Sequence, residues 1–570
     1  MEFLSHEIAS NDFRRAGSAS RALKEQLKRI GADPEAIRRA MIAAYEAEMN
    51  VVIHSVGGRM EASLSDSQVE VTVADEGPGI PDIEQAMMEG FSTASPEARA
   101  LGFGAGMGLP NIKRNSDRFR ITSRLNEGTR VDFTVFLRPA STDGTRVISL
   151  YASPDRCRDC RACLRACPTQ AMRVRSGRPS VLEHLCIDCA QCIGVCAPQA
   201  LRVRGEISLL EDLPDKEELT LVAPPALLAS CGSEHTPAQV WSALKRLGFA
   251  EVVISAAFEE ALRKASLDTP AANSPAIIPA CPAVVNLIEL KYPSLLPHLA
   301  PFDSPWEAAQ ALYGQRPTAY VVSCPSQRSA LLALSQKDLG KEQVRTEFLT
   351  PEVVRQAVMV ELTGAKAAEV REDTPAHTEA AGGATRSAEP ASHPPALTTA
   401  AADSSPSPNE RILTVTGIRH VMAVLEKAED NLLEDVAVIE PYACEGGCFG
   451  SPLVTEDYHL GQLRWRRGPL PPSPLAATPA RPVSRRRPFT PRPGIRLDPD
   501  MGRAIQKLGE LQALISSLPG RDCGACGAPT CAALAEDVVM GRATLELCPY
   551  RETDTGRNGA DETRGTGADS

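Results

Sequence analysis

The chain has 570 residues, a net charge of −11 and only 4% aromatic residues, room for three or more domains at roughly 150 residues each. An acidic chain with few aromatics lacks the basic face and stacking platforms of a general nucleic-acid binder, so no direct nucleic-acid contact is expected. Met1 to Ser10 has no basic-then-apolar signal pattern and no apolar run reaches about 18 residues, so membrane insertion is not expected. Seventeen cysteines without a secretory signal point to the reducing cytoplasm rather than to a disulfide scaffold.

Residues 1–140 alternate helix and strand patterns. Glu35–Ser55 has amphipathic spacing and sets Glu46 and Asn50 four apart on one face. Strand-like runs follow at Glu61–Leu64 and Val69–Val73, the second leading into Asp75-Glu76-Gly77-Pro78-Gly79. Gly104, Gly106 and Gly108 then open a helix running to about Asp117, and two more strands reach Phe136. Glycines before a helix let backbone N–H groups approach phosphates, a helix Asn can ligate Mg²⁺, and a strand-end Asp can accept from an adenine amino group. Read singly, Glu46/Asn50 is an ordinary helix face and DEGPG a turn. In this order they resemble the GHKL ATPases, and most closely the anti-sigma-factor serine kinases. The resemblance implies Mg-ATP as ligand, with Asn50 on Mg²⁺, Asp75, Gly77 and Gly79 at the adenine, and Gly104, Gly106 and Gly108 at the phosphates. Glu46 would polarise the attacking serine of a regulatory protein. His54 is expected to pack, and Lys113 and Arg114 are available to the phosphates, with a solvated face as the alternative.

Residues 148–206 hold Cys157, Cys160, Cys163 and Cys167-Pro168, repeated 29 residues later as Cys186, Cys189, Cys192 and Cys196. This C-x2-C-x2-C-x3-C run is the bacterial ferredoxin spacing, in which the fourth cysteine serves the other cluster. Cys157, Cys160, Cys163 and Cys196 would hold one [4Fe–4S] cubane, and Cys186, Cys189, Cys192 and Cys167 the other. Zinc or disulfides are the alternatives, but no His replaces a ligand.

Residues 207–460 read as α/β, with apolar runs at Leu219–Val222, Val252–Ile254 and Ala319–Val322. An Ala/Pro/Ser/Thr/Gly-rich insertion at 374–408 is too poor in large apolar residues to order itself. Pro279-Ala280-Cys281-Pro282, Ser323-Cys324-Pro325 and Pro441-Tyr442-Ala443-Cys444 through Cys448 place cysteines after apolar runs. Unrelated core cysteines are the alternative. In order, the motifs resemble the three signatures of [FeFe]-hydrogenases. That implies a cubane on Cys281, Cys324, Cys444 and Cys448, with Cys448 bridging to a diiron centre. Ala280 stands where catalytic members carry a proton-relaying cysteine, Gln327 where they carry a lysine, and Tyr442 where they carry a methionine. Sensory-type hydrogenases also lack that thiol, and the diiron centre stays open at this point. Cys231 belongs to no set and reads as a packed thiol.

Residues 461–497 form a Pro/Arg-rich linker, with nine arginines and no acid between Arg464 and Arg496. It reads as a stiff solvated spacer, or as a docking site for an acidic partner. Residues 498–550 carry Cys523, Cys526, Cys531 and Cys548 around a helix pattern from Ala532 to Arg542, with zinc as the alternative to a cubane. They resemble the small four-cysteine iron–sulfur domain of corrinoid iron–sulfur proteins. Residues 551–570 form a polar tail expected to be disordered.

The expected fold is thus multidomain α/β and α+β: a GHKL α/β sandwich, a ferredoxin-like 2[4Fe-4S] module, an α/β hydrogenase-like domain and a small helical cluster domain. Up to four [4Fe–4S] clusters and Mg-ATP are the expected cofactors. The reading is a redox- or hydrogen-sensing regulator that couples cluster state to phosphorylation of a partner and exchanges electrons with redox proteins. The alternative is an [FeFe]-hydrogenase-like oxidoreductase or electron-transfer protein with a regulatory ATP-binding domain.

Overall fold

The computed structural model describes residues 2–13, 15–65, 67–93, 106–137, 148–203, 209–268, 274–335, 344–372, 412–433, 435–468, 482–492 and 494–551. The expectations for Gly104, the 374–408 insertion and the tail beyond Arg551 lie outside these residues.

In the first block, β1 (Glu2–Ala9), β2 (Gly57–Leu64), β3 (Gln68–Asp75), β4 (Arg118–Arg124) and β5 (Gly128–Phe136) form an antiparallel sheet in the order β1-β2-β3-β5-β4. Strict alternation builds its inner face, since Met60, Ala62, Leu64, Val69, Val71, Val73, Val131, Phe133 and Val135 are buried and successive side chains take opposite faces. Helices α1 (Ser18–Arg29) and α2 (Pro34–His54) belong to the same core. Ala36, Ala40, Ala43, Ala44 and Ala47 make α2's buried stripe, and such small side chains let a helix lie close to a sheet. His54 ends α2 and is exposed, so the packed histidine expected there is not found.

The ferredoxin-like block pairs β6 (Leu150–Ala152) with β9 (Leu201–Val203), and β7 (Met172–Arg175) with β8 (Arg178–Val181). Its internal repeat extends to the backbone. Asp159, Arg161 and Gln170 have left-handed φ of 51°, 60° and 56°, and their repeat mates Asp188, Ala190 and Gln199 have 55°, 63° and 52°. Non-glycine residues visit this region sparingly, so the chain is bent in the same way twice.

The third block carries two parallel sheets. One has the order β11-β10-β13-β14, from β10 (Thr220–Ala223), β11 (Glu251–Ile254), β13 (Thr318–Val321) and β14 (Thr346–Leu349). The other is β12-β16-β15, from β12 (Ala276–Ile277), β15 (Ile412–Thr416) and β16 (Val438–Tyr442). Every residue of β10 and β13 is buried, as expected of parallel strands covered on both faces. The strands expected at 219–222, 252–254 and 319–322 are thus present within a residue. Cys231 is buried at 2% exposure, as expected.

The Pro/Arg-rich segment is not a solvated spacer where it is described. Ser484 bridges Phe302. Arg485 pairs with Glu307 at 2.6 Å and Arg486 with the fully buried Asp303 carboxylate. Buried acids need cations, so the acidic partner of this basic segment is the chain itself. Helices α7 (Met501–Ser517) and α8 (Cys531–Val539) form the last domain. The apolar face of α7, with Ala504, Leu508 and Leu511, joins the same core as α1 and α2.

Candidate functional site

At the nucleotide site, α2 presents Glu46 and Asn50 to the start of α3 (Gly108–Arg114). A Cβ on Gly108 would lie 3.1 Å from Asn50 Oδ1 and 3.4 Å from Glu46 Oε2, so the absent side chain lets the lid helix close on the pair. The Asn111 amide donates to Glu46 Oε1 at 2.7 Å. Burial raises the Glu46 carboxyl above its usual value, with the Asn111 bond acting against it. Asp75 Oδ1 accepts from the Gly77 N–H at 2.7 Å, and a Cβ on Gly77 would crowd Asp75 Oδ1 at 2.8 Å and Ser55 Oγ at 2.9 Å. Gly79 and Gly106 have φ of +73° and +76°, which glycine adopts without strain. Arg114 is paired with Glu89. The sequence reading missed Asn111, which no local spacing ties to Glu46, and Gly128, at φ +94°, where a Cβ would strike the Asp75 carbonyl.

The cysteines stand beside one another in small sets. Burial first, then neighbouring Cys196, Cys160 and Cys157, push Cys163 up to about 11. Cys192 is raised well above the usual thiol value by burial, with Cys189, Cys167 and Cys186 beside it. One small cavity is walled by Cys167, Cys186, Cys189 and Cys192, and another by Cys523, Cys526, Cys531 and Cys548. The Ala171 N–H points at Cys167 Sγ and the Ala200 N–H at Cys196 Sγ, both at 3.2 Å. N–H···S bonds of this kind tune cluster potentials. Among the described residues, no group of three or more His, Cys, Asp or Glu converges closely enough for one bare metal ion. Cysteine-walled cavities with aimed N–H donors fit cubanes, which would deprotonate the ligand thiols on binding.

In the third block, Cys281 precedes α4 (Pro282–Lys291) and Cys324 precedes α5 (Pro325–Ser335). Cys444 and Cys448 follow β16. The C-terminal ends of parallel strands are the usual place for a site in such sheets, and the starts of α4 and α5 favour an anionic group. Cys448 has Cys281, Cys324 and Cys444 as neighbours, and burial raises it well above the usual thiol value. Ser323 Oγ is buried without a protein partner among the described residues, as fits a pocket that takes a further group. Gln327 is 2% exposed and directs its amide at Cys448 Sγ, 3.7 Å away. Ala280 packs into an apolar cluster with Phe302 and Ile412. The sequence reading also missed the half-buried Glu259, which accepts from Ser255 Oγ at 3.1 Å and neighbours Cys448.

The sets follow one another in space. The Arg161 guanidinium donates to the carbonyls of Gly524 and Ala525 at 3.2 and 2.7 Å, which brings the C-terminal cysteine loop to the Cys157 set. Cys163 neighbours Cys192, and Cys189 neighbours Cys444.

Family models match four stretches of the chain. Residues 9–135 match the histidine kinase-like ATPase domain, and 149–197 a 4Fe-4S dicluster domain. Residues 218–324 match the C-terminal domain of the iron-only hydrogenase large subunit, and 518–550 an Fe-S cluster family. The hydrogenase match ends at Cys324 and does not reach Cys444 or Cys448. Among curated proteins, the serine/threonine-protein kinase RsbT of Bacillus subtilis is 33% identical over 104 residues, 18% of this chain and 72% of RsbT. An anti-sigma F factor of Caldanaerobacter subterraneus is 31% identical over 103 residues, 18% of this chain and 64% of that protein. Among solved structures, an [FeFe]-hydrogenase HydA(deltaEFG) is 14% identical, covering 47% of this chain and 89% of its own, at a TM-score of 0.29. A second [FeFe]-hydrogenase, studied for oxygen inactivation, is 14% identical over 47% of this chain and 90% of its own, at 0.31. At such TM-scores these two likenesses carry no weight, and the hydrogenase-like character rests on the family match. No helix among the described residues is long and apolar enough to cross a membrane. With 72% of RsbT covered at 33% identity, and with Gly108 at the start of α3 set against Glu46 and Asn50 of the sheet-backed α2, the chain belongs through its first domain to the anti-sigma-type serine kinases of the histidine kinase-like ATPase family.

Proposed function

We propose that this protein is an iron–sulfur regulator whose cluster state sets the activity of an ATP-dependent serine kinase. The convergence of Glu46, Asn50 and Gly108 carries the reading. Asn50 would hold Mg²⁺ and Asp75 the adenine amino group, while the glycine turns leave room for phosphates. Glu46, its carboxyl raised by burial, would take the proton from an incoming serine hydroxyl on a cytoplasmic regulatory protein. The four cysteine sets would hold four cubanes, which supply one-electron redox chemistry when bound. Mg-ATP titration of the full chain, followed by phosphotransfer to candidate regulatory proteins under oxidised and reduced conditions, tests the reading. Phosphotransfer that ignores cluster state sinks it.

The alternative is a slow hydrogen-reacting oxidoreductase, favoured by the gathering of Cys281, Cys324, Cys444 and Cys448. Against it stand Ala280, which supplies no proton donor where such a group contributes about 10²–10⁴ in rate, and Gln327, which is neutral. Infrared bands of iron-bound CO and CN⁻ after maturation, with hydrogen turnover, would establish it. Their absence leaves a cubane-only core.

A further inference from the structure

One helix reaches from the hydrogenase-like cysteines to the kinase site. It is α6 (Ile418–Glu429), about 18 Å long at 1.5 Å per residue. Its first end is fastened to the cluster loop. The Gly417 N–H is directed at the carbonyls of Tyr442, at 3.1 Å, and of Cys444, at 3.3 Å. Gly417 has φ +87°, and a Cβ there would run into the Glu445 carboxylate. Glycine adopts that φ without strain. Along its length Ile418, Val421, Leu425 and Ala428 are buried in the core that also holds Ala443 and Ile439, so the helix moves with that core rather than against it.

The other end lies on the kinase. Glu429 pairs with Lys24 of α1, both side chains 11% exposed, and Glu429 also accepts from the Ser294 hydroxyl. The turn that follows continues along α2. Asp430 neighbours Arg21 and Tyr45, the residue before Glu46. Asn431, with φ +55°, lines the same cleft as Glu46 and Asn111.

We propose that α6 is the lever that couples the hydrogenase-like cysteine site to the kinase site, with Lys24–Glu429 as its hinge contact and the Asp430–Asn431 turn as the part that sets access to Glu46. The proposal rests on the kinase reading above and names how that site is regulated. A cluster held by Cys444 would, on reduction by a low-potential one-electron donor, place added negative charge near Glu445, against which Gly417 is packed. A shift of the ligand loop is passed on by the helix because packed cores exchange between discrete arrangements rather than yielding gradually. A ligand or redox event can bias the kinase only through such a difference in contact between two states.

The test uses the full chain with its clusters reconstituted. A fluorescent ADP analogue is titrated into oxidised protein and into dithionite-reduced protein, and amide hydrogen exchange is followed over α2 in both states. The wild type is expected to change its Kd for the analogue at least about fivefold on reduction, the usual lower range of allosteric coupling, with a matching change in α2 protection. In Glu429→Ala, and in Lys24→Gln on the facing helix, both differences should vanish while cluster absorbance and analogue binding persist. The charge exchange Lys24→Glu with Glu429→Lys should restore them. A redox-dependent Kd that survives Glu429→Ala and Lys24→Gln overturns the lever. A wild type indifferent to reduction in both readouts also overturns it. If the analogue binds in neither state, the nucleotide reading fails. The lever is then judged by α2 protection alone, which must still depend on reduction in the wild type and not in Glu429→Ala.

Discussion

On the proposed reading Glu46 and Asp75 have separable tasks, because the Glu46 carboxylate accepts from Asn111 of α3 while the Asp75 carboxylate accepts from Gly77 in its own turn. Asp75→Asn replaces an acceptor oxygen with a donor. Mg-ATP binding should weaken at least about tenfold, the lower cost of losing a charge-assisted hydrogen bond, as read by isothermal titration. Glu46→Ala should keep nucleotide affinity and lose about 10²–10⁴ in phosphotransfer rate, the range for a general base. Equal loss of binding in both variants would contradict this division. At the hydrogenase-like site the same scale explains the departures. Ala280 fits an apolar cluster and Gln327 is held by the Ser323 N–H at 2.7 Å. Both are built into the pocket as neutral residues.

At the scale of elements, α8 is anchored to the ferredoxin-like block through one acid. Asp537 is fully buried and meets Arg173 of β7 at 2.5 Å, Arg175 at 2.6 Å and Arg542 at 3.1 Å. Asp537→Ala leaves the Arg173 guanidinium, itself 3% exposed, without its carboxylate, with the Gln170 and Met172 carbonyls still accepting from it. Breaking such a buried pair costs about 3–5 kcal/mol, so the midpoint of denaturant unfolding should fall accordingly, with the C-terminal domain coming away first. The junction of α1 with the hydrogenase-like block should respond to pH. Burial, then the nearby Lys24 charge, lowers Lys28 from the ordinary 10.5 to about 8, and its ammonium donates to the Lys291 carbonyl at 2.6 Å. Between those values the unfolded chain binds more protons than the folded one, so this group makes stability rise as pH climbs from about 8 towards 10.5. Below pH 8 its cost is fully present. Lys28→Met should therefore stabilise the protein at pH 7 by on the order of 1–3 kcal/mol and lose that advantage by pH 10. Urea midpoints of both proteins across this range check it.

At the scale of the molecule, four cysteine sets stand in sequence from the C-terminal loop to the hydrogenase-like core, and the kinase touches both ends. Anaerobic analysis should find about sixteen irons per chain, four for each cubane. About eight would leave only the ferredoxin-like pair filled. Cys160→Ser should bleach one cubane and leave the Cys523 set intact by electron paramagnetic resonance. Its magnetic interaction with the C-terminal cluster should disappear, because Arg161 joins those two loops.

The local chemistry was legible in the residues alone. Cysteine spacing suggested the ligand sets, since in a C-x2-C-x2-C-x3-C run the first three thiols turn to one cage and the fourth to the other. Strand-like runs located β2 and β3, apolar runs located β10, β11 and β13 but not β12, β14, β15 or β16, and helical spacing located α2 to within a residue, at Pro34–His54. Spacing could not carry the pairs that lie far apart in the chain. Asn111 on Glu46, Asp537 on Arg173 and Glu429 on Lys24 join positions 65, 364 and 405 residues apart. The arginine-rich segment shows the limit most plainly. Its composition is that of a solvated spacer, and only the fold supplied the buried Asp303 and Glu307 that Arg485 and Arg486 neutralise. Sequence determined which groups could bind iron and nucleotide, because ligand type and short spacing are local properties. Tertiary structure alone decided that α6 begins at the cluster loop and ends at the kinase, because that depends on which buried surfaces of separate domains pack together.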